Sequence, residues 1–185
     1  MLKLREKYIK EVMPEMKDKF GYKNLMAVPK IEKVILNSGF GRLIAGKTSE
    51  EQKKVLDNIL NDLSLIAGQR AILTKAKKAI SGFKIRQGMA IGAKVTLRRK
   101  KMYDFLDRLI HLALPRSRDF RGIEPKSVDK AGNLTIGIKE QISFPEISPE
   151  KTRFIFSFEI TVVSNAKKRE EGLEFLKLLG FPIKS

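Results

Sequence analysis

The chain predicts an α+β fold: a mainly antiparallel sheet with helices packed on one face and the other face open. Three observations lead there. Apolar periodicity runs in the order αβαββαββα, which suits one sheet with helices laid against it better than an alternating parallel arrangement. The strands alternate apolar residues with polar or basic ones, so each has one face to bury and one to leave uncovered. The chain has 185 residues, 42% hydrophobic and 32% charged, which suffices for one packed core. The expectation is a single domain spanning 1–185.

The first helix follows from Leu4, Tyr8, Ile9, Val12, Met13 and Met16 at helical spacing, with Pro14 expected to end or kink it. "IEKVILNS", residues 31–38, is a β-branched strand with Val34 and Leu36 on one face and Lys33, Ile35 and Asn37 on the other. Thr48 with Glu51 three residues later forms a capping box, and the stripe Val55, Leu56, Ile59, Leu60, Leu63 and Ile66 carries a helix to Gly68. "AILT" at 71–74 is a short strand, and Gly82, Gly88 and Gly92 then punctuate a loop or extended hairpin.

"GAKVTLRR" sets Ala93, Val95 and Leu97 against Lys94, Thr96 and Arg98, one apolar face and one basic and polar face. From Lys100 to Leu114 a helix buries Met102, Phe105, Leu106, Leu109 and Ile110, with Pro115 after its end. A polar connection at 115–133 leads to strands at 134–140 and 153–164, and a last helix runs from about Lys167 to Leu179 before Gly180 and Pro182.

Charge is distributed unevenly. The net charge is +17. Residues 1–62 hold 13 basic and 9 acidic groups, and residues 104–185 hold 14 and 12, whereas residues 63–103 hold 11 and none. Solvated faces normally mix signs, because unopposed like charges repel in the compact state. A window of this kind calls for a polyanionic partner, with nucleic acid favoured and anionic membrane the competitor. Lys75, Lys77 and Lys78 crowd one side of the loop 74–88, and Lys84 and Arg86 flank Ile85 on its return, so that its flexible tip can follow a phosphate backbone. No stretch approaches the roughly 18 apolar residues of a membrane span. The absence of cysteine removes disulfides and thiolate metal sites and fits a reducing compartment. The N-terminal segment mixes Glu6, Glu11, Glu15 and Asp18 with its lysines and resembles neither a signal nor a transit peptide.

Other motifs compete with this reading. "GRLIAGKT", Gly41–Thr48, matches the phosphate-binding pattern GxxxxGK[ST], in which Lys47 would reach phosphates and Thr48 a magnesium ion. No later strand supplies a metal-binding Asp, however, and Thr48 has a simpler role as helix cap. His111 is the single histidine and reads as partly buried and structural, since no cysteine or located carboxylate completes a metal or catalytic site. Asp104 and Asp107 lie beside Lys100, Lys101 and Arg108 and read as surface ion pairs. Phe154, Phe156 and Phe158 share a face with Ile160 and Val162, which reads as core rather than a base-stacking platform. No metal, cofactor or catalytic residue is expected.

Taken together, "IEKVILNSGFG" (31–41), "LIAGQRAILTKAKKAISGFKIRQGMAIGAKVTLR" (65–98), "MYDFLDRLIHLALPRSRDFRGI" (102–123), "GNLTIGIKEQISFPEI" (132–147) and "LLGFP" (178–182) resemble the bacterial form of the fifth protein of the large ribosomal subunit. The resemblance is collinear over nearly the whole chain. It implies a cytoplasmic, ribosome-associated, non-enzymatic protein whose sheet lies against 5S rRNA. The family's contact residues carry over to Lys33, Asn37, Gln69, Thr96 and Arg98. It also implies that loop 74–88 reaches the P-site tRNA, making Lys75, Lys77, Lys78, Lys84 and Arg86 tRNA-side contacts. Further implied partners are large-subunit rRNA and neighbouring ribosomal proteins, including a small-subunit protein facing the region 115–147, with no membrane. The family usually follows "VTLR" with glycine where this chain has Arg99-Lys100-Lys101. Extra residues around Arg42–Lys54 create the phosphate-loop look-alike, and "RFIFSFEI" is unlike the family's usual segment.

Overall fold

The computed structural model describes residues 3–44, 46–118, 120–152 and 154–184, with the backbone alone at Lys151. The first helical run, α1, is built from Leu4–Lys7, a π-turn over Tyr8–Val12 and Met13–Phe20. Strand β1 spans Ile31–Gly39, α2 Ser49–Ala67, β2 Ile72–Lys75 and β3 Ala90–Leu97. The run α3 joins Arg99–Arg108, a π-turn over Leu109–Ala113 and Leu114–Arg116. Strands β4 (Leu134–Ile138) and β5 (Phe158–Ser164) and helix α4 (Arg169–Leu179) complete the chain. The element order is the expected one. The five strands form an antiparallel sheet in the order β2-β3-β1-β5-β4.

Pro14 falls inside a helical run instead of ending it, and Pro115 stands one residue before the end of the other. A proline lacks an N–H and its ring crowds the carbonyl four residues back, so an ordinary α-turn fails there. Here the residue before each proline bonds one residue further back, Met13 N–H to Tyr8 O and Leu114 N–H to Leu109 O. The widened turn carries the helix past the obstacle. Gly21, at φ +67°, finally closes α1 in the left-handed conformation.

Backbone contacts divide the chain into two units, one of residues 1–34, 97–136 and 161–185, the other of residues 35–96 and 137–160. In the first, α1 buries Leu4, Tyr8, Val12 and Met16, and the Tyr8 ring meets Phe175 of α4 edge to face at 6.0 Å. Burial pushes the Tyr8 hydroxyl up to about 12, and the nearby Tyr103 adds to the rise. Met102, Phe105, Leu106, Leu109, Ala113 and Leu114 supply the buried stripe of α3.

The N-terminal turn of α4 lies on the turn at Asp129–Gly132 with no side chain between them. A Cβ on Gly172 would stand 2.4 Å from the Gly132 Cα and 2.9 Å from its carbonyl oxygen. Around this contact Ser164 Oγ donates to Gly132 O at 2.9 Å, and Arg169 donates to Val128 O at 3.1 Å and Pro125 O at 2.8 Å. The turn itself is an Asp129 device, whose carboxylate accepts from the backbone of Ala131 (2.9 Å) and Asn133 (2.8 Å). Desolvation pushes that carboxyl up, but the side chain and backbone of Asn133 with the Ala131 N–H outweigh it and hold it below the usual range.

In the second unit α2 buries Val55, Ile59, Leu63 and Ile66, aliphatic side chains worth about 1.5–3 kcal/mol apiece when fully removed from water, with the smaller Ala67 beside them. Leu36, Val95, Phe144, Phe156 and Phe158 complete this core. Strands β2 and β3 pair antiparallel with Ile72 opposite Lys94 and Thr74 opposite Gly92, and the register slips between Thr74 and Lys75. Gly92 is obligatory there, because a Cβ would lie 2.6 Å from Thr74 Oγ1 and 2.9 Å from Ser38 O.

A strand was expected over 153–164; Arg153 lies outside the described residues, and β5 begins only at Phe158. Gln141, fully buried, donates to Phe154 O at 2.6 Å and accepts from Phe156 N at 2.9 Å, so a side chain takes the place of a ladder partner. Its amide also bonds the Asp62 carboxylate, which desolvation pushes up and this bond pulls back down.

Candidate nucleic-acid interface

The loop 74–88 of the basic window forms a hairpin extension of β2 and β3. Ala76 and Met89 continue the pairing (Ala76 N–H to Met89 O, 2.8 Å), and Ile80 and Ile85 exchange two backbone bonds of 2.9 and 3.1 Å. A 3-10 turn at Ser81–Phe83 and a left-handed Lys84 (φ +53°) reverse the chain. The expected flexible tip is thus a hydrogen-bonded one. Lys75, Lys77, Lys78, Lys84 and Arg86 are all exposed along it, and Phe83 stands 61% exposed at the turn. Large apolar side chains left in water beside five cations make a surface that meets charge and ring or sugar faces together.

The strands behind the hairpin present the alternation that the sequence implied. On β3, Ala93, Val95 and Leu97 are buried, while Lys94 is exposed and Thr96 half-exposed. On β1, Val34, Leu36 and Ser38 are buried, with Lys33 and Ile35 half-buried and Asn37 exposed.

Within the second unit, Gln69 and Thr96 are brought together. The left-handed Gly68 (φ +62°) ends α2, and the exposed Gln69 that follows donates through Nε2 to the Thr96 carbonyl at 3.3 Å. This leaves the Gln69 amide oxygen and the Thr96 hydroxyl available on the strand surface. Asn37 is not part of that pair. It lines a shallow groove of about 440 Å³ with Gly39, Gly137, Lys139, Ser157 and Glu159. Sequence reading passed over those five residues; the available signal was a glycine inside the strand "LTIGI", since strand glycines often mark close approach of a ligand.

In the first unit Lys33 stands half-buried on β1, and Arg98 is exposed in extended backbone (φ −140°, ψ 163°) just before α3. Arg99 then turns the chain at φ +53°, the left-handed position for which the usual glycine is suited. The departure from the family pattern therefore preserves the turn but carries it on a strained arginine.

The competing motifs resolve otherwise. Gly41–Ile44 is a helical turn, not an open anion nest. Thr48 Oγ1 accepts from Glu51 N–H at 3.4 Å, and Thr48 N–H donates to the Glu51 carboxylate at 3.1 Å. The bonds that the carboxylate accepts, from the Thr48 N–H first and then from the Thr48 hydroxyl at 3.1 Å, hold the Glu51 carboxyl below its usual range. Lys47 Nζ lies 5.4 Å above the Phe154 ring. Ala45 lies outside the described residues. Phe154 was expected in the core with Phe156 and Phe158; it is exposed instead, because the Gln141 bonds interrupt the strand alternation. His111 is likewise exposed, not partly buried, and its Nε2 lies 3.5 Å from Asp107 Oδ1. Asp107 thus faces the histidine, while the Asp104 charge acts on Arg108, whose guanidinium desolvation pushes down and Asp104 pulls up. Among the described residues, no His, Cys, Asp and Glu side chains group to hold a metal ion, and no helix is long and apolar enough to cross a membrane.

Comparison with known proteins adds an independent line. Residues 24–86 match the family model described as ribosomal protein L5, and residues 90–183 match the model described as the C-terminus of that ribosomal family. The large ribosomal subunit protein uL5 of Syntrophomonas wolfei subsp. wolfei is 52% identical over 184 residues, covering 100% of both chains. The proteins of the same name from Caldanaerobacter subterraneus subsp. tengcongensis and Clostridium botulinum (strain Eklund 17B / Type B) are 50% and 51% identical, each with 98% of both chains covered. Two consecutive family models and full-length relatives at this identity, on a fold whose basic hairpin and polar strand faces match what the residues implied, settle the family: the chain belongs to the ribosomal protein L5 family.

Proposed function

We propose that the chain is a constituent of the large ribosomal subunit that binds 5S rRNA through the polar positions of its strands and contacts the P-site tRNA through the hairpin at 74–88. Its family is one of structural ribosomal proteins, not enzymes, which places it on cytoplasmic ribosomes. The observation that carries the reading is the window 63–103, which holds 11 basic and no acidic residues; six of them, Lys75, Lys77, Lys78, Lys84, Arg86 and Lys94, stand exposed on the hydrogen-bonded hairpin and its strands. Such a surface speeds encounter and gives salt-sensitive affinity. Lys33, Asn37, Gln69, Thr96 and Arg98 add fixed donors and acceptors, the type of group that reads one RNA shape against another. The region 115–147 is the part proposed to face a small-subunit protein.

The test is an equilibrium titration against 5S rRNA and an unrelated RNA of equal length over a range of salt. Preference for 5S rRNA that persists as salt rises is the expected result; equal affinities falling together would reduce the interface to charge alone. Arg98→Ala should weaken 5S rRNA binding by about 1–3 kcal/mol, the scale of a hydrogen bond to a charged group. Neutralising Lys77 and Lys78 together should spare it and impair tRNA contact. A large loss of 5S rRNA affinity in that double variant would show the hairpin to be misassigned.

A further inference from the structure

The groove beside Asn37 is open in an unusual way. Gly39 and Gly137, both exposed, form part of its lining, and a Cβ built on either meets no atom within 4 Å. The two glycines are therefore required neither by packing nor by a left-handed backbone, in contrast to Gly92, where a Cβ would stand 2.6 Å from Thr74 Oγ1. Glycine weakens a strand interior, so its presence at Gly137 within β4, where a β-branched residue would fit, points to a cause outside the folded chain, and Gly39 closes β1 beside it. Bare backbone at these points leaves a flat shelf of about 440 Å³, large enough for a planar base with its ribose but shallow enough to require a splayed-out one.

The rim determines which base. Glu159 offers only acceptors, Lys139 only donors, and Asn37 and Ser157 either. Among the four RNA bases, guanine alone carries two adjacent N–H donors, N1–H and the N2 amino group, that match the two oxygens of a carboxylate. Its O6 acceptor lies beside them, within the reach of an ammonium or amide donor. Cytosine and adenine present one amino donor next to an acceptor nitrogen that a carboxylate repels, and uracil presents a single N–H between two acceptors. A carboxylate on an RNA-facing surface is unfavourable towards phosphate, so its place there is explained by a base edge and not by the backbone.

We propose that this shelf receives one unpaired guanine of the bound RNA, Glu159 accepting from its N1–H and N2 amino group while Gly39 and Gly137 let the base lie against the strands. The inference rests on the 5S rRNA reading above and extends it to a part of the sheet that shares only Asn37 with the five expected contacts. Gly137→Val is the decisive variant, since the added side chain projects into open space and favours strand backbone. It should melt at or above the wild-type temperature and lose at least tenfold in affinity for 5S rRNA. Glu159→Gln should leave the fold intact and abolish protection of one guanine from kethoxal, a reagent for the unpaired N1/N2 edge, that wild type protects. If Arg98→Ala weakens binding while Gly137→Val binds as wild type, the shelf is refuted and the 5S rRNA reading stands. If neither variant weakens binding, both fail. If Gly137→Val weakens binding but wild type and Glu159→Gln protect the same guanines, the guanine assignment is overturned.

Discussion

Replacing Gly172 by alanine sets two physical effects against each other in one experiment. Helix propensity alone favours the change by about 1 kcal/mol, because glycine in a helix loses more backbone freedom on folding than alanine does. The structure predicts the opposite sign. The new Cβ would lie 2.4 Å from the Gly132 Cα and 2.9 Å from Gly132 O, both backbone atoms that no rotamer change can move aside. Reaching ordinary contact requires α4 and the Asp129–Gly132 turn to part by about 1 Å, an overpacking of the kind that costs about 1–3 kcal/mol. That separation stretches the Ser164 bond to Gly132 O and the Arg169 bonds to Val128 O and Pro125 O, each worth about 0.5–1.5 kcal/mol or somewhat more for the charged donor. With the propensity gain subtracted, the net loss is about 2 kcal/mol, which for a chain of this length lowers the melting temperature by roughly 4–8 °C. Thermal unfolding followed by far-ultraviolet circular dichroism reads it directly. A variant that melts with the wild type or above it would show that the glycine-to-glycine approach is not a tight constraint, and that Cβ distances are no guide to its cost.

Thr48→Ala removes the capping box and should cost about 1 kcal/mol in denaturant titration, with 5S rRNA affinity unchanged; magnesium-dependent nucleotide binding lost on this change would instead revive the phosphate-loop reading. Gln141→Leu leaves Phe154 O and Phe156 N without their side-chain partner and should destabilise by about 2 kcal/mol, and an unchanged midpoint would mean that water replaces the amide at no cost. For Tyr8 the hydroxyl stands at about 12 against an ordinary 10.0. A group raised on folding contributes stability that is present below its unfolded value and is lost as pH climbs through the folded one, here from about 10 to about 12. Tyr8→Phe should accordingly flatten the decline of stability across that window. A decline as steep as the wild type's would assign it to other groups, with Tyr22, also raised to about 12 by burial and the neighbouring Glu171, the first to examine.

The order of elements and the buried faces were legible because each rests on local periodicity. Val34 and Leu36, or Val95 and Leu97, declare their face by alternation, and Thr48 with Glu51 declares a helix start by chemistry confined to four residues. The basic window 63–103 was equally plain, since eleven uncompensated cations need no fold to be seen. Most misread features depend on groups far apart in sequence. Phe154 continues the parity of Phe156 and Phe158 and reads as core, yet Gln141, thirteen residues earlier, takes its carbonyl and ends the alternation. His111 sits in an apolar run, and only the widened turn around it settles that its ring faces water and Asp107. The Gln69–Thr96 bond joins residues 27 apart, and the shelf of Gly39 and Gly137 depends on the sheet order that brings β4 to the far side of β5. Pattern rules address what one element presents, whereas a shared surface is a property of several.

The widened turn in α1 also bears on how chain length can vary. A π-turn amounts to a single extra residue accommodated in an α-helix without changing what lies on either side. The buried residues Leu4, Tyr8, Val12 and Met16 recur at steps of four, four and four, whereas a plain α-helix keeps one face by mixing steps of four and three. Removing one residue between Tyr8 and Val12 converts the steps to four, three and four, the ordinary α repeat. That stretch is a frame in which a one-residue deletion leaves every core contact in phase, and Pro14, which disfavours the tighter turn, is the residue that would have to change with it.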